Sequence, residues 1–196
     1  MIYNVGEKRM DMNKAWNHFL TITRHRHAVI RNCARAGILW QGLRHDLSKY
    51  SPVEFCEGAR FWQGDRSPND KAREVNGHSQ AWMHHMGRNR HHFEYWRDYS
   101  KVTHKMTPVE MPLRYVVEMF CDRVAASKVY MGDSYNDSKP LEYFERGRLR
   151  RGDDIHPNTS ALIENMLRML STDGEAKTFA AIREIVKKDR YERKHQ

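Results

Sequence analysis

The stretch NKAWNHFLTITRHRHAVIRNCARA, Asn13 to Ala36, decides the fold class. Trp16, Phe19, Leu20, Thr23, His27, Ile30 and Ala34 recur at steps of three and four, which places them along one face of a helix. Gly37 then closes the segment. The same periodicity returns down the chain. Leu39 to Lys49 forms a second helical segment, and Ser51-Pro52 reads as an N-cap with proline at the first helical position, opening a helix through Val53, Phe55, Ala59 and Phe61. Residues 63–76 are polar and rich in Gly, Pro, Asp and Asn, and are expected to be a loop.

The histidine-rich segment 77–96 is expected to be helical, at least in its first half, and 103–108 is a break. A long helix over 112–131 carries Val116, Val117, Phe120, Val124 and Ala125, followed by a turn region at 132–138 and a short helix around 141–145. The basic run RGRLRRGDD, starting at Arg146, is expected to be a turn. Pro157-Asn158-Thr159 starts another helix, Asp173-Gly174 stops it, and a last helix covers about 176–188. No β-hairpin signal, internal repeat or low-complexity linker stands out. The expected architecture is one all-α domain over 1–196, a bundle of six to eight helices with its core at about 13–188. A flexible N-terminal arm and a frayed polar tail flank it.

Composition narrows the function classes. The 196 residues are 39% hydrophobic and 30% charged, which suits a folded domain with a well-charged surface. Thirty-four Lys and Arg against 25 Asp and Glu leave a formal charge of +9, which favours anionic partners such as nucleotides, nucleic acid or acidic surfaces. Cys33, Cys56 and Cys121 are far apart and form no CxxC pair, which argues against a disulfide framework or a cysteine-rich zinc site. No run approaches a membrane span, and MIYNVGEKRMDMNK lacks the apolar core of a secretory signal, so the cytoplasm is the expected compartment, without a membrane partner.

Twelve histidines are the unusual feature, six of them between His78 and His104. The first chemistry-bearing element is Leu43-Arg44-His45-Asp46-Leu47-Ser48-Lys49-Tyr50. An imidazole beside a carboxylate offers one nitrogen and one oxygen, the mixture that divalent metals use in hydrolytic sites. For the dipeptide alone, a surface helix with an incidental charge pair is the better reading. Three further features weigh against that. His27 sits on the apolar stripe of the first helix, where its nitrogens need a metal or a carbonyl; His25 is about 200° round the helix, and His18 is off the stripe, so His27 is the one expected to meet His45.

In Trp82 to Trp96, helical spacing puts Trp82, His85, Asn89, His92 and Trp96 on one face, with His84, Arg88, His91 and Tyr95 beside it. Imidazoles buried between tryptophans are costly without partners, and a second group of metal ligands would supply them. Finally, Asp122 is a carboxylate in an otherwise apolar helix and needs a metal or an arginine.

The order His…His-Asp…His…His-His…Asp resembles the HD superfamily of metal-dependent phosphohydrolases, and His45-Asp46-Leu47-Ser48-Lys49 is similar to its H-D-x-G-K signature with Ser48 in place of Gly. His91-His92-Phe93-Glu94 faintly resembles an H-H-E motif of the cyclic-dinucleotide phosphodiesterase branch, but the G-Y-P that follows there is absent. The chain more closely resembles a family of small phage and bacterial proteins with HDLSK-S-P-x-E-F, W-x-x-H-x-x-x-N-x-H-H-x-x-Y-W, a later helical Asp and an H-P-x-T turn. These correspond to His45–Phe55, Trp82–Trp96, Asp122 and His156–Thr159, with Tyr50 an extra residue.

The resemblance implies an HD-type helical domain holding one or two divalent ions (Mn, Fe, Co, Zn or Mg). Its first ligand set would be His27, His45, Asp46 and Asp122, and its second His85 and His92, with His91 as the alternative and Asp46 as the bridge. A water acidified by the ion would attack phosphorus, with Asp46 and Lys49 as catalytic residues and Lys49, Arg88 and Arg90 binding the phosphate of a nucleotide or another phosphate ester or anhydride. Two other readings stay open. One is a non-catalytic basic helical protein with a structural metal that binds nucleic acid, nucleotide or a protein partner, supported by basic segments at 146–151 and 187–194. The other is a degenerate fold that senses a nucleotide.

Overall fold

The computed structural model describes residues 11–151 and 154–195; the expected N-terminal arm lies mostly outside them. The all-α expectation is met, with eight α-helices among the described residues and one small antiparallel pair of strands. Helix α1 spans Met12–Arg35, capped by Asp11, whose carboxylate accepts from the backbone N–H groups of Asn13 and Lys14. Helices α2 (Leu39–Arg44), α3 (Pro52–Phe61), α4 (Pro68–Asn76) and α5 (Gln80–Met86) follow. Strands β1 (Arg97–Ser100) and β2 (Lys105–Pro108) then lead to α6 (Leu113–Met131), α7 (Lys139–Arg151) and α8 (Pro157–Glu192).

Helices α1 and α6 lie against each other at the centre. Helices α7 and α8 pack on α6 from one side, and α3, α4 and α5 form a second group joined to α1 through α3. The core between them is Val29, Cys33, Val116, Val117, Phe120, Val124, Phe144, Ile163, Leu167, Leu170 and Ile182, all inaccessible to solvent. No described helix is long and apolar enough to cross a membrane.

Helix α1 buries a different face from the expected one. Its inward residues are Ala15, His18, Ile22, His25, Val29, Asn32 and Cys33, while Trp16 is 61% exposed and His27 is also exposed. Both faces have helical spacing, and partners rather than apolar density chose between them. On the inward face Asn32 donates to the Cys121 carbonyl at 3.0 Å, and Gly42 of α2 lets that helix come so close that a Cβ there would stand 2.5 Å from the Cβ of Cys33. On the outer face Trp16 and Phe19 stack on one another.

Other expectations are corrected in the same way. The second helical segment stops at Arg44, and a 3₁₀ turn covers Leu47–Tyr50, so His45 and Asp46 sit at a break rather than on a helix. The 63–76 loop contains helix α4, which starts at Pro68 after Ser67. Helix α5 ends at Met86, so the helical face drawn through Trp96 is interrupted. The 103–108 break is β2, paired with β1 across a four-residue connection in which His104 has φ 53°. The run starting at Arg146 continues helix α7 to Arg151, and helix continues to Glu192 in the tail expected to fray. The expected stop at Asp173-Gly174 is met, since Gly174 leaves helical geometry at φ 78° and ψ 169° and α8 runs as two helices on either side of it.

His18 shows how polar the inward face of α1 is. It is 5% exposed, its ring centroid lies 5.4 Å from that of Phe55, and burial, with the nearby Lys49 charge, lowers its pKa to about 4. The folded state therefore binds fewer protons at His18 than the unfolded chain does between pH 6.5 and 4. Its stability contribution is complete above 6.5 and falls as pH drops through that window. Between pH 7 and pH 5 the wild type should lose about 2 kcal/mol more than His18→Gln, measured by urea unfolding in a chelator. Parallel pH dependence of the two proteins would refute the assignment.

Candidate metal centre

The centre is built from four places in the fold. Helix α1 contributes His25, the break after α2 contributes His45 and Asp46, α5 and the turn after it contribute His85, His91 and His92, and α6 contributes Asp122. Asp46 has φ 53°, a left-handed backbone that is uncommon for a residue other than glycine and that collects at functional sites. The break is held from outside: the Arg26 guanidinium donates to the carbonyls of Leu43 and His45, the latter at 3.2 Å. Asn89 donates to the Ser48 hydroxyl and to the His85 carbonyl, both at 2.8 Å, tying the turn after α5 to the His-Asp break. Ser48, the departure from the H-D-x-G-K pattern, thus has a contact that glycine could not make. The Trp96 indole donates to the Arg90 carbonyl at 2.7 Å and pins the turn that carries His91 and His92.

The imidazole Nε2 atoms converge on two carboxylates. Asp46 Oδ2 faces one side, 3.3 Å from His45 Nε2 and 4.0 Å from His25 Nε2, while Asp122 Oδ1 lies 2.9 Å from His25 Nε2 and 3.5 Å from His45 Nε2. Asp46 Oδ1 faces the other side, 3.3 Å from His85 Nε2 and 3.6 Å from His91 Nε2. His92 Nε2 is 3.0 Å from His85 Nε2. Among the described residues three groups of potential ligand atoms result, the atoms of each lying within 4.8 Å of one another: His25, His45, Asp46, Asp122; Asp46, His85, His91, His92; and His45, His91, Glu118, of which the first two share Asp46. In those two, Asp46 turns one oxygen to each. The donors also fit a cation chemically: His45 Nε2, His91 Nε2 and Asp46 Oδ1 are buried without a hydrogen-bond partner, a cost that an ion between them would remove.

A second layer orients the rings. Glu118, one turn before Asp122 on α6, accepts from His45 Nδ1 at 2.9 Å, stands 3.3 Å from His91 Nδ1, and accepts from the Gln41 amide. Glu54 of α3 accepts from His85 Nδ1 at 2.7 Å and from His84 Nδ1 at 2.6 Å. With Nδ1 of His45 and His85 committed to carboxylates, Nε2 is left to face the centre, the arrangement of carboxylate–histidine–metal sites.

The electrostatics follow from burial and crowding. Burial opposes ionisation of Asp46, but the His45, Lys49 and His85 charges outweigh it and hold the carboxyl well below the usual range. Asp122 is held low against burial by its hydrogen bonds with His25 and His45. Glu118 is drawn down to about 2 by His45 and His91 in spite of its burial. His92 is pushed well below its ordinary value by burial and by His91 and His85, which keeps it in the neutral form that binds metals. His45 moves the other way: Asp46, Asp122 and Glu118 outweigh its burial and raise it well above the ordinary value, so a bound metal must displace its proton.

Most of the expected site residues come together: His45, Asp46, His85, His91, His92 and Asp122 lie in the two groups, so that His91 and His92 both belong rather than one standing in for the other. His27 does not join them. It is exposed, and His25, two residues earlier on the buried face, stands in the place expected of it. Lys49 reaches Asp46 Oδ2 at 2.7 Å. Arg88 and Arg90 line a neighbouring cavity of about 700 Å³, whose wall includes His91 and Glu118.

Sequence reasoning assigned no role to Glu54 or Glu118. Glu54 is the glutamate of the quoted HDLSK-S-P-x-E-F segment, and Glu118 lies four residues before Asp122, so both carried a signal.

The model of a family of unknown function, DUF5662, matches residues 14–169. The chain belongs to that family. The matched span includes every residue of the two ligand groups and both orienting glutamates. Neither the curated proteins nor the solved structures contain a significant match to the chain.

His25→Ala should abolish tight binding of at least one divalent ion, measured by metal analysis after dialysis, whereas His27→Ala should bind as the wild type does. Equal losses would refute the placement of His25. Glu118→Gln should keep the fold and weaken metal affinity about 10- to 100-fold in a calorimetric titration; unchanged affinity would remove Glu118 from the orienting role.

Proposed function

We propose that this protein is a metal-dependent phosphohydrolase of HD type, acting on a nucleotide or another phosphate ester or anhydride. The observation that carries the reading is Asp46, which offers one oxygen to each of two histidine-rich groups around buried atoms that lack hydrogen bonds. A pair of ligand groups sharing one carboxylate suits two ions side by side, the arrangement that clamps the attacking and leaving oxygens of a phosphoryl group. The order of these residues along the chain, with the HDLSK segment, supports the HD assignment.

In this reading His25, His45, Asp46 and Asp122 would hold one ion, and Asp46, His85, His91 and His92 would hold a second. When bound, the ions supply Lewis acidity, which lowers the pKa of water and neutralises phosphoryl charge. The protein supplies the rest. Asp46 and Asp122 stay ionised at neutral pH and compensate the cationic charge. Glu54 and Glu118 hold the rings of His85 and His45 so that nitrogen lone pairs face the centre. Lys49, held charged by Asp46 and Asp122 in spite of burial, keeps a positive charge beside the bridging carboxylate. Hydrolysis joins the oxygen of water to phosphorus and breaks the bond to the leaving oxygen, which departs with a proton. Cysteine takes no part among the proposed ligands, in keeping with a catalytic site that keeps positions open rather than a closed structural zinc site.

Purified protein supplied with Mn²⁺, Co²⁺, Fe²⁺, Zn²⁺ or Mg²⁺ should hydrolyse bis(4-nitrophenyl) phosphate or a member of a nucleotide panel. His45→Ala and Asp46→Ala should each abolish turnover while circular dichroism shows the helices intact. Full turnover in either variant, or none in the wild type with any metal, would reject the reading.

A further inference from the structure

Beside the metal centre lies the cavity of about 700 Å³ that Arg88 and Arg90 line. Its walls bring together arginines from four separate places in the chain: Arg44 at the end of α2, Arg88 and Arg90 in the turn after α5, Arg114 at the start of α6, and Arg190 and Arg193 at the end of α8. Among the described residues only Arg193 of these has a carboxylate partner, Asp189. The other carboxylate in the wall, Glu118, is engaged by His45, His91 and Gln41.

Arg90 and Arg114 both donate to the hydroxyl of Tyr115, at 3.4 and 3.3 Å, which holds two guanidinium groups together with no acid between them. Like charges so placed repel one another, and an anion in the cavity relieves that repulsion. The cavity also contains Trp40, 76% exposed, an indole left in solvent next to the arginines. His91, which stands 3.6 Å from Asp46 Oδ1, connects this wall to the metal centre.

We infer that the arginine-lined cavity is a binding groove for single-stranded nucleic acid, with the arginines along the phosphate backbone and a base stacked on Trp40. Guanidiniums without a carboxylate partner from four chain segments match several phosphates in succession rather than the compact phosphate tail of one nucleotide. An exposed indole among them is the sequence-tolerant platform on which single-strand binders stack bases. That His91 belongs both to the cavity wall and to a ligand group of the centre names the substrate class for the phosphohydrolase reading, on which this second step rests; the binding step stands without it.

The test is fluorescence anisotropy of the full chain with a labelled oligothymidylate of about twelve residues, in EDTA so that turnover plays no part. Affinity should fall with salt with a log–log slope of about −3, roughly −0.7 for each of four or five phosphates. The exposed pair Arg90→Ala/Arg114→Ala should make that slope shallower by about 1.4, Trp40→Ala should weaken binding about tenfold with the slope unchanged, and Lys101→Ala, at the tip of the β1–β2 connection, should change neither. The inference is overturned if dTTP displaces the strand at equal concentration, if duplex DNA binds more tightly, if the substitutions at Trp40, Arg90 and Arg114 have no effect, or if no strand binds at low salt. Strand binding without hydrolysis of bis(4-nitrophenyl) phosphate by the metal-loaded protein would leave the groove standing and reject the phosphohydrolase. Hydrolysis without strand binding would do the reverse.

Discussion

A carboxylate taken out of water must be compensated where it stands, and Asp46, 1% exposed, is the group on which this structure converges. Its two oxygens face in different directions, and each meets histidines from a different part of the fold. To bring those histidines in, α1 turns a face bearing His18, His25 and Asn32 inward and leaves Trp16 in solvent. The chain also breaks between α2 and the following 3₁₀ turn and holds Asp46 in a left-handed conformation. These are local costs. They are offset by an apolar core on the other side of the α1–α6 pair, where Phe120, Phe144, Ile163 and Leu167 are fully buried.

The rings around Asp46 are not free to turn. Glu118 and Glu54 each accept from a pair of imidazoles or approach one closely, so the direction of the ligand nitrogens is set by carboxylates one layer further out. This layer comes from α3 and α6, the elements that also frame the fold, and so the precision of the centre is inherited from helix packing. Asp122 and Glu118, one helical turn apart on α6, divide the work: the first faces the centre and the second holds His45 from behind.

Charge is distributed unevenly around this core. A few acidic groups, Asp46, Glu118 and Asp122, are drawn into the interior, each held in its ionised form by histidine or lysine. The arginines of the adjoining cavity are left largely without acidic partners. The formal charge of +9 is therefore not a uniform surface property but in part a local field next to the candidate metal centre, the arrangement that concentrates an anionic ligand at a site.

Much of this was legible in the residues. Helical periodicity and the absence of long β-patterns determined an all-α chain, since a period near 3.6 buries a stripe only on a helix. The residue types at His45, Asp46, His85, His91, His92 and Asp122 marked a set of groups that could hold a metal, because imidazoles and carboxylates in apolar surroundings need partners. The sequence could not decide which of two helical faces of α1 turns inward. Apolar density favoured the face of Trp16 and His27, but burial depends on what packs opposite, and α2, α3 and α6 meet the face of His25. Nor could it show the β1–β2 hairpin, which closes through backbone pairing, or the break that puts Asp46 at φ 53°, which the Arg26 side chain of α1 holds at His45, since neither leaves a periodic signature. The partners Glu54 and Glu118 and the arginine groove belong to the tertiary structure for the same reason. Periodicity reports which residues share a face, whereas only packing determines which faces meet.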